Sequence, residues 1–270
     1  MAHTLRPLPL GQLLDETFNI YRRNFVLFVG ISAIPHLVIL VFQLGQVMVI
    51  GSGSAGIAIL SSLITVVVSV ILGSVVTAAT TFGVSDIYLD RPTSITACFS
   101  RVGAKALSVT LVSFLLGLIV GLGLLLCLIP GIYFGGKYGL AIPATVLEGR
   151  TAGDALTRSS TLTEGFIWRV IVVYFLTSLF TSCILFALNF GVLALVNDIP
   201  GAGILLKQIL QLLVASLTGI VLGPISAIAI TLVYYDLRVR KEAFDIEHMM
   251  GLMGMPVSPT FSVPPPPPVS

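Results

Sequence analysis

From Val26 to Ser85 the chain carries no Asp, Glu, Lys or Arg. About 20 consecutive apolar residues already cross a bilayer. A charge-free run of that length cannot be one helix of a water-soluble core. It reads as two membrane crossings, with the sequence "GSGS" at 51–54 as the turn between them. Charged residues make up only 10% of the whole chain and hydrophobic residues 56%, against roughly 25% charged in soluble domains. The mean hydropathy is +1.06.

The expected fold class is therefore all-α: a polytopic membrane protein of six transmembrane helices with amphipathic helices at the cytoplasmic interface. The six apolar stretches cover 25–50, 55–88, 106–128, 129–147, 166–196 and 203–235. A 34-residue helix is about 50 Å long, so the longer stretches must tilt, kink or project. Pro35 and Pro224 are the expected kinks, since proline removes a backbone donor and crowds the preceding turn. Asp15 and Glu16 precede the first apolar run, which is unlike a cleavable signal peptide; the first span is expected to stay as an anchor. The organisation reads as a cytoplasmic amphipathic segment at 1–24, a six-helix membrane domain at 25–236, a cytoplasmic helix end at 237–250 and a proline-rich tail at 251–270. The tail holds five consecutive prolines, Pro264–Pro268. Such a run favours polyproline II and cannot build a core, so disorder is expected there.

Cationic residues sort the connections. Arg6, Arg22 and Arg23 precede the first span, and Arg91, Arg101 and Lys105 lie between the second and third. Arg150, Arg158 and Arg169 surround the junction of the fourth and fifth, and Arg238, Arg240 and Lys241 follow the sixth. The alternate connections are nearly bare. Cationic loops stay in the cytoplasm, which places both termini inside. Tyr21, Trp168, Tyr234 and Tyr235 fall at the same boundary, where amphipathic rings are favoured.

The connections on that side carry helical signals. Leu10, Leu14, Phe18, Tyr21 and Phe25 recur every three or four residues, the pattern of a helix lying in the interface. Ile95, Phe99 and Val102 form a shorter one after Pro92. Thr151 with Asp154, and Thr161 with Glu164, have capping-box form and mark two helix starts. Arg6-Pro7, Arg91-Pro92 and Arg150-Thr151 each open an amphipathic stretch followed by an outward and a return span. A weak threefold repeat follows, over 6–90, 91–149 and 150–236.

Little chemistry is visible. The sequence has no nucleophile-elbow, Walker A, HExxH or CxxC pattern. Cys98, Cys127 and Cys183 have no metal-binding or redox spacing. No cofactor, metal or catalytic residue is assigned. A net charge of +2 gives no reason to expect nucleic acid. Asp236 and Arg240 suit a helical i,i+4 ion pair. Arg22, Arg23, Arg158, Arg238, Arg240 and Lys241 are the candidate cytoplasmic interface, for anionic headgroups or a partner. Gly117, Gly121, Gly131, Gly135 and Gly139 form small-xxx-small patterns, expected to serve close helix packing.

His36 and Lys137 are the ionisable residues expected deepest in the spans. They lie about 18 and 16 Å from the cytoplasmic ends of their helices at 1.5 Å per residue. Intramembrane ionisable groups mark functional sites by default. The structural alternatives are a backbone hydrogen bond for His36, and for Lys137 a side chain reaching the outer surface, toward Asp198. On a helical wheel Lys137 lies opposite Gly131, Gly135 and Gly139, so the lysine and the glycines serve different faces.

Four stretches, "LPLGQLLDETFNIYRRNF", "IPGIYFGGKYGLAIPATVLEG", "ALTRSSTLTEGFIWRV" and "YYDLRVRKEAFDIE", together resemble the membrane domain fused to some glycerophosphoryl diester phosphodiesterases and the related YciC-like bacterial inner-membrane proteins. The residues that carry the likeness are Tyr21, Arg23, Asn24 and Phe25; Pro130, Gly131 and Glu148; and Ala155, Leu156, Arg158 and Ser159. The resemblance implies a membrane domain without the phosphodiesterase activity, which in that family belongs to a separate soluble barrel. The expected function is a non-enzymatic inner-membrane scaffold. Its partners are membrane lipids and a membrane or cytoplasmic protein. The alternative is a small transporter or lipid-handling protein with a polar cavity near His36 and Lys137.

Overall fold

The computed structural model describes residues 7–51, 55–197 and 203–242. The proline-rich tail, most of the 237–250 helix end, Arg6 and Asp198 lie outside the described residues. Among the described residues ten helices run in the order α1 (Leu10–Arg23), α2 (Phe25–Gly51), α3 (Ala55–Tyr88), α4 (Ile95–Gly103), α5 (Ala106–Leu126), α6 (Leu128–Tyr138), α7 (Ala141–Glu148), α8 (Ala152–Thr163), α9 (Ile167–Asn197) and α10 (Ile204–Glu242). Five of them, α2, α3, α5, α9 and α10, are long and apolar enough to cross a membrane. A short helix followed by two long ones occurs twice, in α1–α2–α3 and α8–α9–α10; between them α4 is followed by one long helix, α5, and the two short helices α6 and α7.

The fourth expected span is not one helix. It breaks at Gly139–Leu140 into α6 and α7. Pro143 has no N–H, so the carbonyl of Gly139 loses its helical partner. Side chains from other helices replace the lost bonds. The Ser159 hydroxyl donates to the Lys137 carbonyl (2.9 Å) and accepts from the Leu140 N–H (3.1 Å). Thr163 donates to the Lys137 carbonyl (3.0 Å) and Tyr174 to that of Gly139 (3.3 Å). Irregular backbone in a membrane fold survives where protein satisfies it.

The long helices share one end that carries most of the charges, Lys207 near the start of α10 excepted. The hydrophobic core sits there, built from α1, α3, α7, α8 and residues 225–237 of α10, with Phe28 of α2, Val112 of α5, and Val170 and Val173 of α9. Toward the other end the helices present apolar side chains outward; only 6% of the α3 apolar window is buried. That is the surface hydrocarbon requires. Helices α3, α9 and α10, with 34, 31 and 39 residues, overhang a ~30 Å hydrocarbon core by roughly 15–30 Å, and the short helices gather round the overhang.

Helix α1 lies along α10. The Leu8 N–H donates to Asp236 (2.7 Å), and the Tyr21 hydroxyl donates to the Val221 carbonyl, about one turn before Pro224 of α10. Leu13, Thr17, Ile20 and Tyr21 are its buried face. Full burial of Leu13 and Ile20 stabilises by about 1.5–3 kcal/mol each. The neighbouring stripe of Phe18 and Phe25 stays exposed, and Phe18 meets Phe180 of α9 edge-on at 5.4 Å. So part of the expected interfacial face is covered by protein.

Helix α4 forms as its periodicity implies, with Ser94 as its N-cap. Thr151 caps α8 by accepting from the Asp154 N–H. The second expected start at Thr161 is instead the end of α8: the Thr161 hydroxyl donates to the Thr157 carbonyl, and Gly165 turns the chain at φ 80°.

Candidate functional site

Two ion-pair networks close the charged end, and a third pair flanks them. In the first, Glu148 at the end of α7 accepts from Arg158 of α8 (2.9 Å), Arg150 (2.5 Å) and the Tyr234 hydroxyl of α10 (2.5 Å). Arg158 also grips Glu242, which pairs with Arg238 at 3.1 Å. Burial pushes the Glu148 carboxyl up, but the three hydrogen bonds outweigh it and hold it down at about 2. Burial likewise acts against the Arg158 charge, and its two carboxylate partners more than reverse this, raising its pKa.

The second network centres on Asp236, whose side chain is 1% exposed. It pairs with Arg169 and Arg240, both at 2.9 Å, and accepts from Leu8. The expected i,i+4 pair of Asp236 and Arg240 is thus present. The third is Asp86 of α3, held by Arg101 of α4 at 2.8 Å, with the guanidinium over the Phe82 ring. The Lys105 ammonium donates to the Val146 carbonyl at the end of α7 (2.7 Å), and burial lowers its pKa.

The candidate cationic interface therefore divides. Arg158, Arg238 and Arg240 hold carboxylates of this chain, and Lys241 donates to the Thr161 carbonyl (2.7 Å). Arg22 and Arg23 are exposed on α1. The expected boundary aromatics divide too. Tyr21, Tyr234 and Tyr235 are buried, with hydroxyls bonded to the Val221 carbonyl, Glu148 and Ser85. Trp168 is 77% exposed.

His36 and Lys137 are not brought together. The His36 Nδ1 lies 2.9 Å from the Ser32 carbonyl, one turn back on α2. Its ring fills the space at Gly219 of α10, where an added Cβ would fall 2.8 Å from the imidazole. Lys137 ends α6, partly buried, with its ammonium 5.5 Å from the Tyr138 ring centroid.

The glycines also separate. Gly131 packs on α5: a Cβ there would lie 2.6 Å from the Leu124 backbone nitrogen. Gly139 packs on Tyr174 of α9, at 2.7 Å by the same measure. Gly136, outside the expected pattern, packs on Ile171 and Ile167. Gly117 and Gly121 do not serve packing, since a Cβ at either would meet nothing within 4 Å. Small residues permit close approach, but only a helix in contact makes use of it, and no neighbouring atom comes within 4 Å of a Cβ at either of these two.

Gly117 instead borders an open groove of about 1210 Å³. Helix α6 is its floor, with Gly131, Gly135 and Gly136. Helix α5 forms one wall through Leu116, Gly117 and Val120, and α9 the other through Ile171, Val172 and Phe175. Trp168 and Gly165 stand at the charged-end mouth, and neither His36 nor Lys137 lines it. Sequence patterning could flag these glycines but not tell packed ones from unfilled ones. Among the described residues no group of His, Cys, Asp and Glu could hold a metal ion.

No curated protein and no solved structure matches this chain. A family model described as the membrane domain of glycerophosphoryl diester phosphodiesterase matches residues 114–250, just over half of the 270 residues. The match takes in the groove lining from Leu116 onward, the broken helix and the charged side chains of both networks on α10, and with it the chain belongs to the glycerophosphoryl diester phosphodiesterase membrane-domain family.

Proposed function

We propose that this chain is a non-enzymatic inner-membrane scaffold, with both termini cytoplasmic, that engages lipids or a protein partner through its charged end. The observation that carries the reading is that the charged end spends most of its charges on itself. Three carboxylates each tie separate helices together. The result is a fixed cap, with Arg22 on α1, Ser100 on α4 and Thr157 on α8 exposed around it. The transporter alternative would need a polar cavity at His36 and Lys137, and the groove between α5, α6 and α9 is lined by neither.

Photo-cross-linking residues placed at Arg22, Ser100 and Thr157 test the reading. They should capture one defined partner or lipid class, while the same residue at exposed Leu126, at the far end of α5, should not. Hydrolysis of glycerophosphodiesters by the pure chain, abolished by one substitution, would overturn it. Orientation has its own readout. Cys127, exposed at the α5–α6 turn, should react with a membrane-impermeant maleimide from outside the cell in a Cys183→Ser background.

A further inference from the structure

We propose that the α5–α6–α9 groove is a binding site for the acyl chain of a membrane glycerolipid. This deepens the lipid side of the reading above, and rests on it only for the placement of the helices in a bilayer.

The groove is built to stay open. A Cβ on Gly117 would meet nothing within 4 Å, and one on Gly135 only a Val120 methyl at 3.9 Å. In water such an apolar trough would be a liability. Between two membrane-spanning helices its surrounding medium is hydrocarbon, and an acyl chain fills it without desolvation. The dimensions agree. The walls run from Trp168 to Ser178 on α9 and from Ser113 to Leu124 on α5, about 15–17 Å at 1.5 Å per residue. That is half of the ~30 Å hydrocarbon thickness, the depth of one leaflet.

The polar groups stand where a glycerolipid needs them. Trp168 is at the charged-end mouth, where an indole suits the headgroup boundary. Ser113 lies on the α5 wall toward the same end. Hydroxyls on the facing wall donate to a carbonyl one turn back, as Thr177 does to Val173 (2.8 Å) and Thr181 to Thr177 (3.0 Å) on α9. The Ser113 Oγ is buried and has no hydrogen-bond partner. A lipid ester carbonyl in the groove is an acceptor of the kind it lacks, reached by a turn of the Ser113 side chain about its Cα–Cβ bond.

The chain has a single tryptophan, so Trp168 reports on the groove. The experiment titrates a phosphatidylcholine with a dibrominated sn-2 chain into the full-length protein in detergent and follows Trp168 quenching. Quenching should saturate near one lipid per chain and be competed by unbrominated lipid. Gly117→Leu with Gly135→Leu, which fills the trough where there is room, should abolish the saturable component. Gly121→Leu, equally exposed but outside the groove, should leave it unchanged. Ser113→Ala should weaken half-saturation about fivefold, the worth of one hydrogen bond.

Quenching that rises linearly, or is equal in the filled variant and the Gly121→Leu control, would overturn the proposal. So would cross-links showing a helix of a second copy in the trough. If the filled variant is not monodisperse, a diazirine-bearing acyl chain decides on the wild type: labels concentrated on α5, α6 and α9 uphold the site, and labels spread over all outward helix faces refute it. Loss of the groove with capture at Arg22, Ser100 and Thr157 intact would leave the scaffold reading standing.

Discussion

At Glu148 three donors from α8, α10 and the intervening connection meet one carboxylate. Its pKa falls from 4.5 to about 2 on folding. A depressed carboxylate stabilises fully above its unfolded pKa and loses that stabilisation as pH falls through the folded value. The expected contribution at neutral pH is on the order of 3 kcal/mol, lost between pH 4.5 and about 2. Glu148→Gln should lower the melting temperature at pH 7 and flatten the acid limb of the stability profile over that window, as measured by thermal unfolding in detergent. An unchanged acid limb would show that Glu148 does not set it. His36 and Gly219 make a second pair with a defined outcome. Gly219→Ala drives a methyl into the imidazole and should cost roughly 1–3 kcal/mol, as overpacking does. In a His36→Ala background the clash is gone, and alanine's better helix propensity should make the same change neutral or stabilising by up to about 1 kcal/mol. Additive effects in the double-mutant cycle would refute the contact.

Among the elements, the break between α6 and α7 shows where sequence reasoning stops. The glycines and Pro143 are visible in "IPGIYFGGKYGLAIP", yet they read equally as a continuous glycine-rich span. What makes the break tolerable is remote: Ser159 and Thr163 on α8 and Tyr174 on α9 take over the backbone groups. Their order in the chain carries no sign of that. The α8 start was legible because a cap is local: Thr151 satisfies the amide three residues on; α4 was legible from its Ile95, Phe99 and Val102 periodicity rather than from its Ser94 cap. Gly117 and Gly131 sit in the same sequence pattern, and only the position of the facing helix separates them. Ser159 is the residue to test, because its hydroxyl serves both sides of the break. Ser159→Ala should cost about 1–3 kcal/mol, the penalty for leaving buried backbone groups unpaired. Hydrogen exchange at Leu140 should rise more than in the middle of α6, whereas a merely local packing loss would leave that ratio unchanged.

For the whole molecule, the five long apolar helices were legible because burial in lipid needs only hydrophobicity and length. The cap was less so, because charge asymmetry marks one end of the bundle without saying whether its cations face headgroups or carboxylates of the same chain. Asp236 is where that difference is largest. It joins α10 to α9 through Arg169 and to the start of α1 through the Leu8 N–H, so α1 is fastened at one end by charge and at the other by the Tyr21 hydroxyl. Partly buried pairs are screened little by salt, so this fastening should survive ionic strengths that strip lipids from exposed cations. Asp236→Asn keeps the shape and removes the charge. Charge-assisted hydrogen bonds contribute about 1.5–3 kcal/mol each, so the amides of Leu13 to Tyr21 should exchange roughly 10- to 100-fold faster in nanodiscs, with α5 and α6 unchanged. Arg22→Ala, on the exposed face of α1, should leave the same amides as they are. If instead Arg22→Ala frees α1 and Asp236→Asn does not, α1 is held by the membrane surface rather than by the bundle.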